Sequence, residues 1–343
     1  MLSKLFESLY LKVFVNIVIS RTQTSVYIEI SNKKGVLNHA EEVFDTTTIN
    51  DKMQAFINSY TQETPFNYIS LLDTSEFQGA APTCSAKDFS KFFDADSSKY
   101  LCYLNKWAAY TSKSDLQLVK KEYSKIGLDF IFSPFTILAR FFKDKIDKTA
   151  AMYILVEDGC VSLAVFNDTE LLYADYKRFK HAEVAEYSLE DDASSDDDTL
   201  NFNGSIDLDN MDTDINMGEL DDFADIGDIE DLDMLEDMDD FSEIKDKHVE
   251  ELTTEKNTGA EMSDTETFGE DYERFLLIQS SVNHFYKDDK FESIFIEKVF
   301  IADGIDSGSE LKKYLEEEMF LSVIVRRIDL SAELCDLAKA ELK

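Results

Sequence analysis

The charge of this chain sits in one place, and that placement decides which parts can fold. Of a net −37, the segment 183–271 carries −31, with 34 Asp and Glu set against Lys245, Lys247 and Lys256. The other 254 residues hold only −6 and are charged like an ordinary globular body. No Lys or Arg occurs between Glu183 and Ile244, a stretch with 25 acids. Apolar burial cannot offset chain entropy at that charge density, so residues 181–271 are expected to form a long acidic disordered insertion. The flanking segments must then supply the core. The chain is 44% apolar and 12% aromatic, ample material for it.

Inside the insertion, Leu220, Phe223, Ile226, Ile229, Leu232 and Leu235, continuing to Met238, Phe241 and Ile244, recur at every third position with acids between them. A period of three drifts around an α-helix with its 3.6 residues per turn, so these residues make no fixed stripe. Acidic–hydrophobic alternation marks a segment that orders on a partner, which makes those six residues the candidate partner-binding set. Solubilising filler is the alternative. The run Asp212-x-Asp214-x-Asn216 matches three calcium-loop positions. Met217 replaces the required Gly, however, and Phe223 stands where the bidentate Glu belongs. No metal site is expected.

Before the insertion, residues 13–20, 25–31 and a third strand ending near Phe44 read as a meander turned at Gly35. A helix near 49–60, a buried strand at 66–72, an irregular stretch at 74–98 and a strand at 99–104 follow. Next come a helix starting near Ser114, a strand at 128–132 and a helix opened by Pro134. Residues 150–156, 160–166 and 170–176 form a second meander. After the insertion the pattern is helix, strand, helix, strand, helix, as expected for mixed sheets faced by helices. Cys84, Cys102, Cys160 and Cys335 show no paired spacing and read as buried thiols in a reducing compartment. Residues 2–10 place Leu2, Leu5, Phe6, Leu9 and Tyr10 on one amphipathic face. The longest apolar run, at 9–19, includes Lys12 and Asn16. It is too short to span a bilayer, so the chain is expected in the cytoplasm, meeting a membrane only peripherally or through a partner. No Walker loop, dinucleotide fingerprint, nucleophile elbow or zincin helix occurs, and the four His are scattered.

Three stretches carry a family resemblance. Residues 25–30 (SVYIEI), 153–166 (YILVEDGCVSLAVF) and 299–304 (VFIADG) running into Gly308-Ser309-Glu310-Leu311 resemble the second strand, second phosphate hairpin and adenosine loop of actin-like ATPases. Within that fold the chain is similar to the pilus-assembly protein PilM and to the cytoplasmic part of the type II secretion protein GspL. The resemblance implies a two-lobed actin-like (ribonuclease H-like) α/β fold. The first lobe would span 1–148 and the second 149–180 with 272–343, with 181–271 inserted.

The resemblance also assigns the nucleotide loops, and these depart from the pattern. Ile19 and Arg21 stand where an Asp and a Gly would hold metal and phosphate. Glu157 and Gly159 match the second loop, and Asp303 precedes Gly304 in the third. Glu157, Gly159 and Gly304 are therefore the candidate cofactor-binding residues of vestigial loops, with no catalytic residue and no resident cofactor expected. The resemblance implies a non-catalytic cytoplasmic scaffold of a pilus, secretion or DNA-uptake machine that docks a peptide of a PilN-like inner-membrane protein. Two alternatives stand beside it: an active ATPase or kinase using ATP and magnesium, and an acidic interaction protein working through its insertion.

Overall fold

The structure is a computed structural model that describes residues 10–62, 64–179, 261–306 and 309–342. The acidic insertion up to residue 260, with Leu220, Phe223, Ile226, Ile229, Leu232 and Leu235, lies outside the described residues, as does the face formed by residues 2–9.

Strands β1 (Lys12–Ile19), β2 (Thr24–Asn32) and β3 (Gly35–Phe44) form the first antiparallel meander. Gly35 takes φ 133°, and the Asn32 side chain accepts from the Lys34 N–H at 2.7 Å, closing the turn. Asn50 caps α1 (Asp51–Thr61) by accepting from the Met53 N–H at 2.9 Å, which sets Met53 and Ile57 against the sheet. Strand β4 (Asn67–Leu72) then returns parallel to β1.

A small antiparallel sheet follows, made of β5 (Gln78–Ala81), β6 (Ser98–Tyr103) and β7 (Trp107–Ser112) in the order β5-β7-β6. The sequence reading took 74–98 as irregular and found one strand where there are three. Gln-Gly-Ala-Ala carries no β-branched signal. Cys84 and Cys102, the latter on β6, are joined in a disulfide, correcting the reading of four separate thiols; Cys160 and Cys335 are free and buried. Helix α2 (Lys113–Glu122), strand β8 (Phe130–Phe132), parallel to β4, and helix α3 (Pro134–Phe141) complete the first half.

The second half repeats the plan. Strands β9 (Ala151–Val156), β10 (Cys160–Asn167) and β11 (Glu170–Arg178) form a meander, followed by helix α4 (Glu261–Lys287). Strand β12 (Lys298–Asp303), helix α5 (Ser309–Glu317), strand β13 (Ser322–Arg327) and helix α6 (Leu330–Glu341) close the chain. The sheets run β3-β2-β1-β4-β8 and β11-β10-β9-β12-β13, each a meander extended by two parallel strands. Helix α4 starts ten residues earlier than the expected end of the insertion. Acids at a helix N-terminus are favoured by the macrodipole, so charge that reads as disorder also suits a helix start.

One apolar core joins the two sheets, with Phe14, Leu72, Phe142, Tyr153, Phe300, Leu334 and Ala338 among its members. Tyr153 stacks on Phe300 with ring centroids 5.3 Å apart. Helix α6 was expected with the second lobe but packs on β1, β2 and β4 of the first sheet. Its Lys339 ammonium donates to the buried Glu29 carboxylate on β2 at 2.7 Å. Against burial, which would lower it, that bond raises the Lys339 pKa. Among the described residues, no helix is long and apolar enough to cross a membrane.

Candidate functional site

Three turns from the two sheets meet at a cleft of about 470 Å³, lined among others by Ile19, Arg21, Glu157, Asp158, Gly159 and Gly304. The first is the β1–β2 turn, closed by the Ser20 N–H donating to the Gln23 carbonyl at 2.8 Å, with Arg21 at its tip. The second is the β9–β10 turn, held by the Glu157 N–H donating to the Cys160 carbonyl at 3.1 Å. The third follows β12, where the Gly304 N–H donates to the Val156 carbonyl at 3.0 Å. Asp329 caps α6 at the cleft wall, accepting from the Ala332 N–H at 2.9 Å. Ile19, Arg21, Glu157, Gly159 and Gly304, singled out from the sequence, all line this cleft; the Asp303 carboxylate instead accepts from the Ile305 N–H at 3.1 Å, and Gly308 lies outside the described residues.

Arg21 ties the turns together. Its backbone N–H donates to Asp158 Oδ2 at 3.0 Å, and Nη2 donates to the Asp158 carbonyl at 2.6 Å. Nη1 reaches Glu270 on α4 at 2.9 Å. Glu270 also accepts from Arg274 Nη2 at 2.9 Å, while Arg274 Nη1 donates to Asp271 at 2.9 Å. Both guanidinium groups face the Phe179 ring, at 5.5 Å for Arg21 and 5.2 Å for Arg274. Arg274 and Asp271 are fully buried. Burial would raise the Glu270 carboxyl, but hydrogen bonds from the two arginines prevail and hold it low. At Asp271 burial prevails over Arg274 and the carboxyl is raised. Within this network two cations thus meet three carboxylates, and Arg178 lines the cleft beside it.

Glu157 does not face this network. Its carboxyl is buried and accepts from the Cys160 thiol at 3.3 Å. Burial pushes its pKa up to about 7, outweighing the Cys160 bond and the Arg178 charge. The acid that meets Arg21 is the neighbouring Asp158. Above Gly159 there is room for a methyl, since the nearest atom to a Cβ there would be Arg21 Cβ at 3.9 Å. Gly304 is required by the protein itself, since a Cβ there would meet the Val156 carbonyl at 3.0 Å and Leu330 Cδ1 at 3.2 Å. Among the described residues no group of three or more His, Cys, Asp and Glu side chains could hold a metal.

Sequence reasoning missed Asp158, Phe179, Glu270 and Arg274. The last two did leave a signal, because Glu270-Asp271-x-x-Arg274 is the i, i+3 and i, i+4 spacing of helical ion pairs.

Two sheets of identical strand order, with a cleft where their first turns converge, define the duplicated actin-like fold. The chain belongs to the family described as a domain of unknown function, DUF8341, whose model matches residues 152–343; a second such model, DUF8569, matches residues 10–139. A search of curated proteins gives no match. Among solved structures, a Bacteroides thetaiotaomicron protein with an actin-like ATPase fold and unknown function is 10% identical with a TM-score of 0.46, over 97% of this chain and 96% of that one. The ethanolamine utilization protein EutJ of Carboxydothermus hydrogenoformans is 7% identical with a TM-score of 0.41, over 96% and 89%. A PilM–PilN type IV pilus biogenesis complex is matched at 11% identity and TM-score 0.33, over 48% of this chain and 61% of that one.

Proposed function

We propose that this chain is a non-catalytic cytoplasmic scaffold of actin-like fold. In this reading it docks a short cytoplasmic segment of a PilN-like inner-membrane assembly protein in a pilus, secretion or DNA-uptake machine. The scaffold half of the reading is carried by Arg21. A triphosphate and its metal need free backbone N–H groups, room above a glycine and an uncommitted carboxylate at the first turns. Here the Arg21 N–H is taken by Asp158, its guanidinium is committed to the Asp158 carbonyl and Glu270, and the Glu157 carboxyl is buried against the Cys160 thiol. These residues do not fit the group. The cleft holds the two lobes together instead. The machine and the partner class are supported by the resemblance of residues 25–30, 153–166 and 299–304.

Titration calorimetry of the full chain with Mg-ATP is expected to show no binding in the micromolar range. Micromolar affinity, or phosphate release abolished by Glu157→Ala, overturns the reading.

A further inference from the structure

The most exposed large apolar side chains among the described residues are Phe320 at 88% and Phe295 at 79%. The strand register brings them to one place. Strands β12 and β13 run parallel with Lys298 opposite Ser322, and the Ser322 N–H extends the ladder by donating to the Glu297 carbonyl at 2.8 Å. Phe295 precedes Lys298 by three residues and Phe320 precedes Ser322 by two, so both stand at the same end of the pair. Ile294 is exposed beside Phe295, and the Tyr286 hydroxyl accepts from the Ile296 N–H at 3.1 Å, which sets a further half-exposed ring there. β13 is also the outer strand of its sheet, with exposed Ile324 and Val325 further along it.

Two features at this end run against fold stability. Phe320 has φ 54° where the chain leaves α5, a left-handed conformation suited to Gly or Asn and costly for a bulky side chain. Exposed Glu317 and Glu318, beside a Glu316 that pairs with Lys312 at 3.7 Å, crowd the C-terminal end of α5, whose last turn has no basic residue. The helix dipole disfavours acids there and favours Lys or Arg. Exposed Glu292 and Glu297 add two acids to the rim, against the exposed Lys298 beside them. An apolar patch with an excess of acids at its rim is the form of an interaction site.

We infer that the Phe295–Phe320 end of the β12–β13 pair docks a short basic peptide segment that inserts an aromatic or aliphatic anchor between acidic side chains. The sign of the rim chooses this occupant. The acidic stretch of this chain, with its own apolar residues, is repelled by the glutamates. The inference rests on the scaffold reading in one respect: segments bordering the spans of inner-membrane proteins are rich in Lys and Arg on the cytoplasmic side.

The test uses the full chain and two labelled synthetic peptides of equal charge, one of Lys, Phe and Leu and one of Lys and Ser. The second measures attraction to the acidic segment alone. Fluorescence anisotropy should show Phe295→Ser with Phe320→Ser binding the Lys/Phe/Leu peptide about tenfold more weakly than the parent, with the Lys/Ser peptide unaffected. A second variant, Glu316→Lys with Glu317→Lys, keeps both phenylalanines and should also weaken the Lys/Phe/Leu peptide several-fold. Both variants change exposed side chains and should stay folded at the assay temperature, the lysine variant with a small shift in melting temperature as the helix end gains cations and loses the Lys312–Glu316 pair. In the parent, peptide binding should slow amide exchange at 294–298 and 319–323. Unchanged affinity in both variants, or protection confined to other segments, overturns the inference. A dimer of the chain alone that Phe320→Ser dissolves also overturns it, because a second copy would then be the occupant. Failure here with continued inertness to Mg-ATP leaves the scaffold reading standing, whereas ATP turnover removes that reading whatever the peptide does.

Discussion

Gly159 and Gly304 stand in the same cleft, and in sequence each reads as the relic of a nucleotide loop. Their surroundings separate them. A methyl on Gly304 would press on the Val156 carbonyl at 3.0 Å, an atom of the central strand that cannot move cheaply. Gly304→Ala should therefore lower stability by about 1–3 kcal/mol, read from the urea midpoint. Gly159→Ala meets only Arg21 Cβ at 3.9 Å and should stay within about 0.5 kcal/mol of the parent. Equal effects would show that the close approach of β12 to β9 is not what Gly304 serves. Glu157 gives a pH signature. Its pKa is raised from 4.5 to about 7 by burial, so the folded chain binds this proton more tightly than the unfolded chain. The contribution is fully present below 4.5 and is lost as pH rises through 7, about 3 kcal/mol at the limit. Glu157→Gln removes that dependence. Its stability relative to the parent should improve from pH 5 to pH 8, and a constant difference across that range would mean that the carboxyl ionises freely in the fold.

At the scale of elements, α4 shows what sequence could and could not supply. Its ion-pair spacing was readable, yet nothing in Glu270-Asp271-x-x-Arg274 says that Arg274 and Asp271 lie fully buried against Phe179 and the start of α5. That knowledge requires knowing what packs on the helix. Arg274→Leu would leave Asp271 without its cation in the interior, and Glu270 with Arg21 alone. The expected loss is about 3–5 kcal/mol by denaturant titration, far more than an exposed pair of the same spacing would give. A loss below about 1 kcal/mol would mean that water reaches Asp271. The same division runs through the rest of the chain. Both meanders and the β12–β13 crossover were legible because β-branched runs are bounded by turns such as Asn32-Lys33-Lys34-Gly35. The small sheet was half hidden, since Gln78–Ala81 has strand geometry only by pairing with Trp107–Ser112. The loop positions of the cleft were also legible, because the resemblance fixed them by register. The roles of Glu157 and Asp158 were not, since neighbouring carboxyls in one turn are told apart only by which one faces inward.

At the scale of the whole molecule, the body and the acidic insertion should be separable. The chain leaves the second sheet before Phe179, whose ring lies 5.2 Å from the Arg274 guanidinium, and α4 begins thirteen residues before Arg274 at Glu261. Thirteen helical residues span about 20 Å. A Gly/Ser linker of about 12 residues, reaching roughly 40 Å when extended, is therefore long enough to replace residues 181–260 without pulling on either end. Loop-closure entropy grows only with the logarithm of length, so shortening the connection about sevenfold should stabilise the fold by roughly 1–2 kcal/mol. Removing most of the net negative charge also relieves self-repulsion, an effect that should shrink as salt is added. The expected outcome is a cooperative thermal transition a few degrees above the parent at low salt, with the gap narrowing at high salt. The cross-cleft pairing of Arg21 with Asp158 and Glu270 should be unchanged, so Arg21→Ala should cost the shortened and full chains the same, about 1–2 kcal/mol. If the shortened chain fails to fold, or if Arg21→Ala becomes much more damaging in it, the acidic segment is a structural part of the body rather than an insertion within its second lobe.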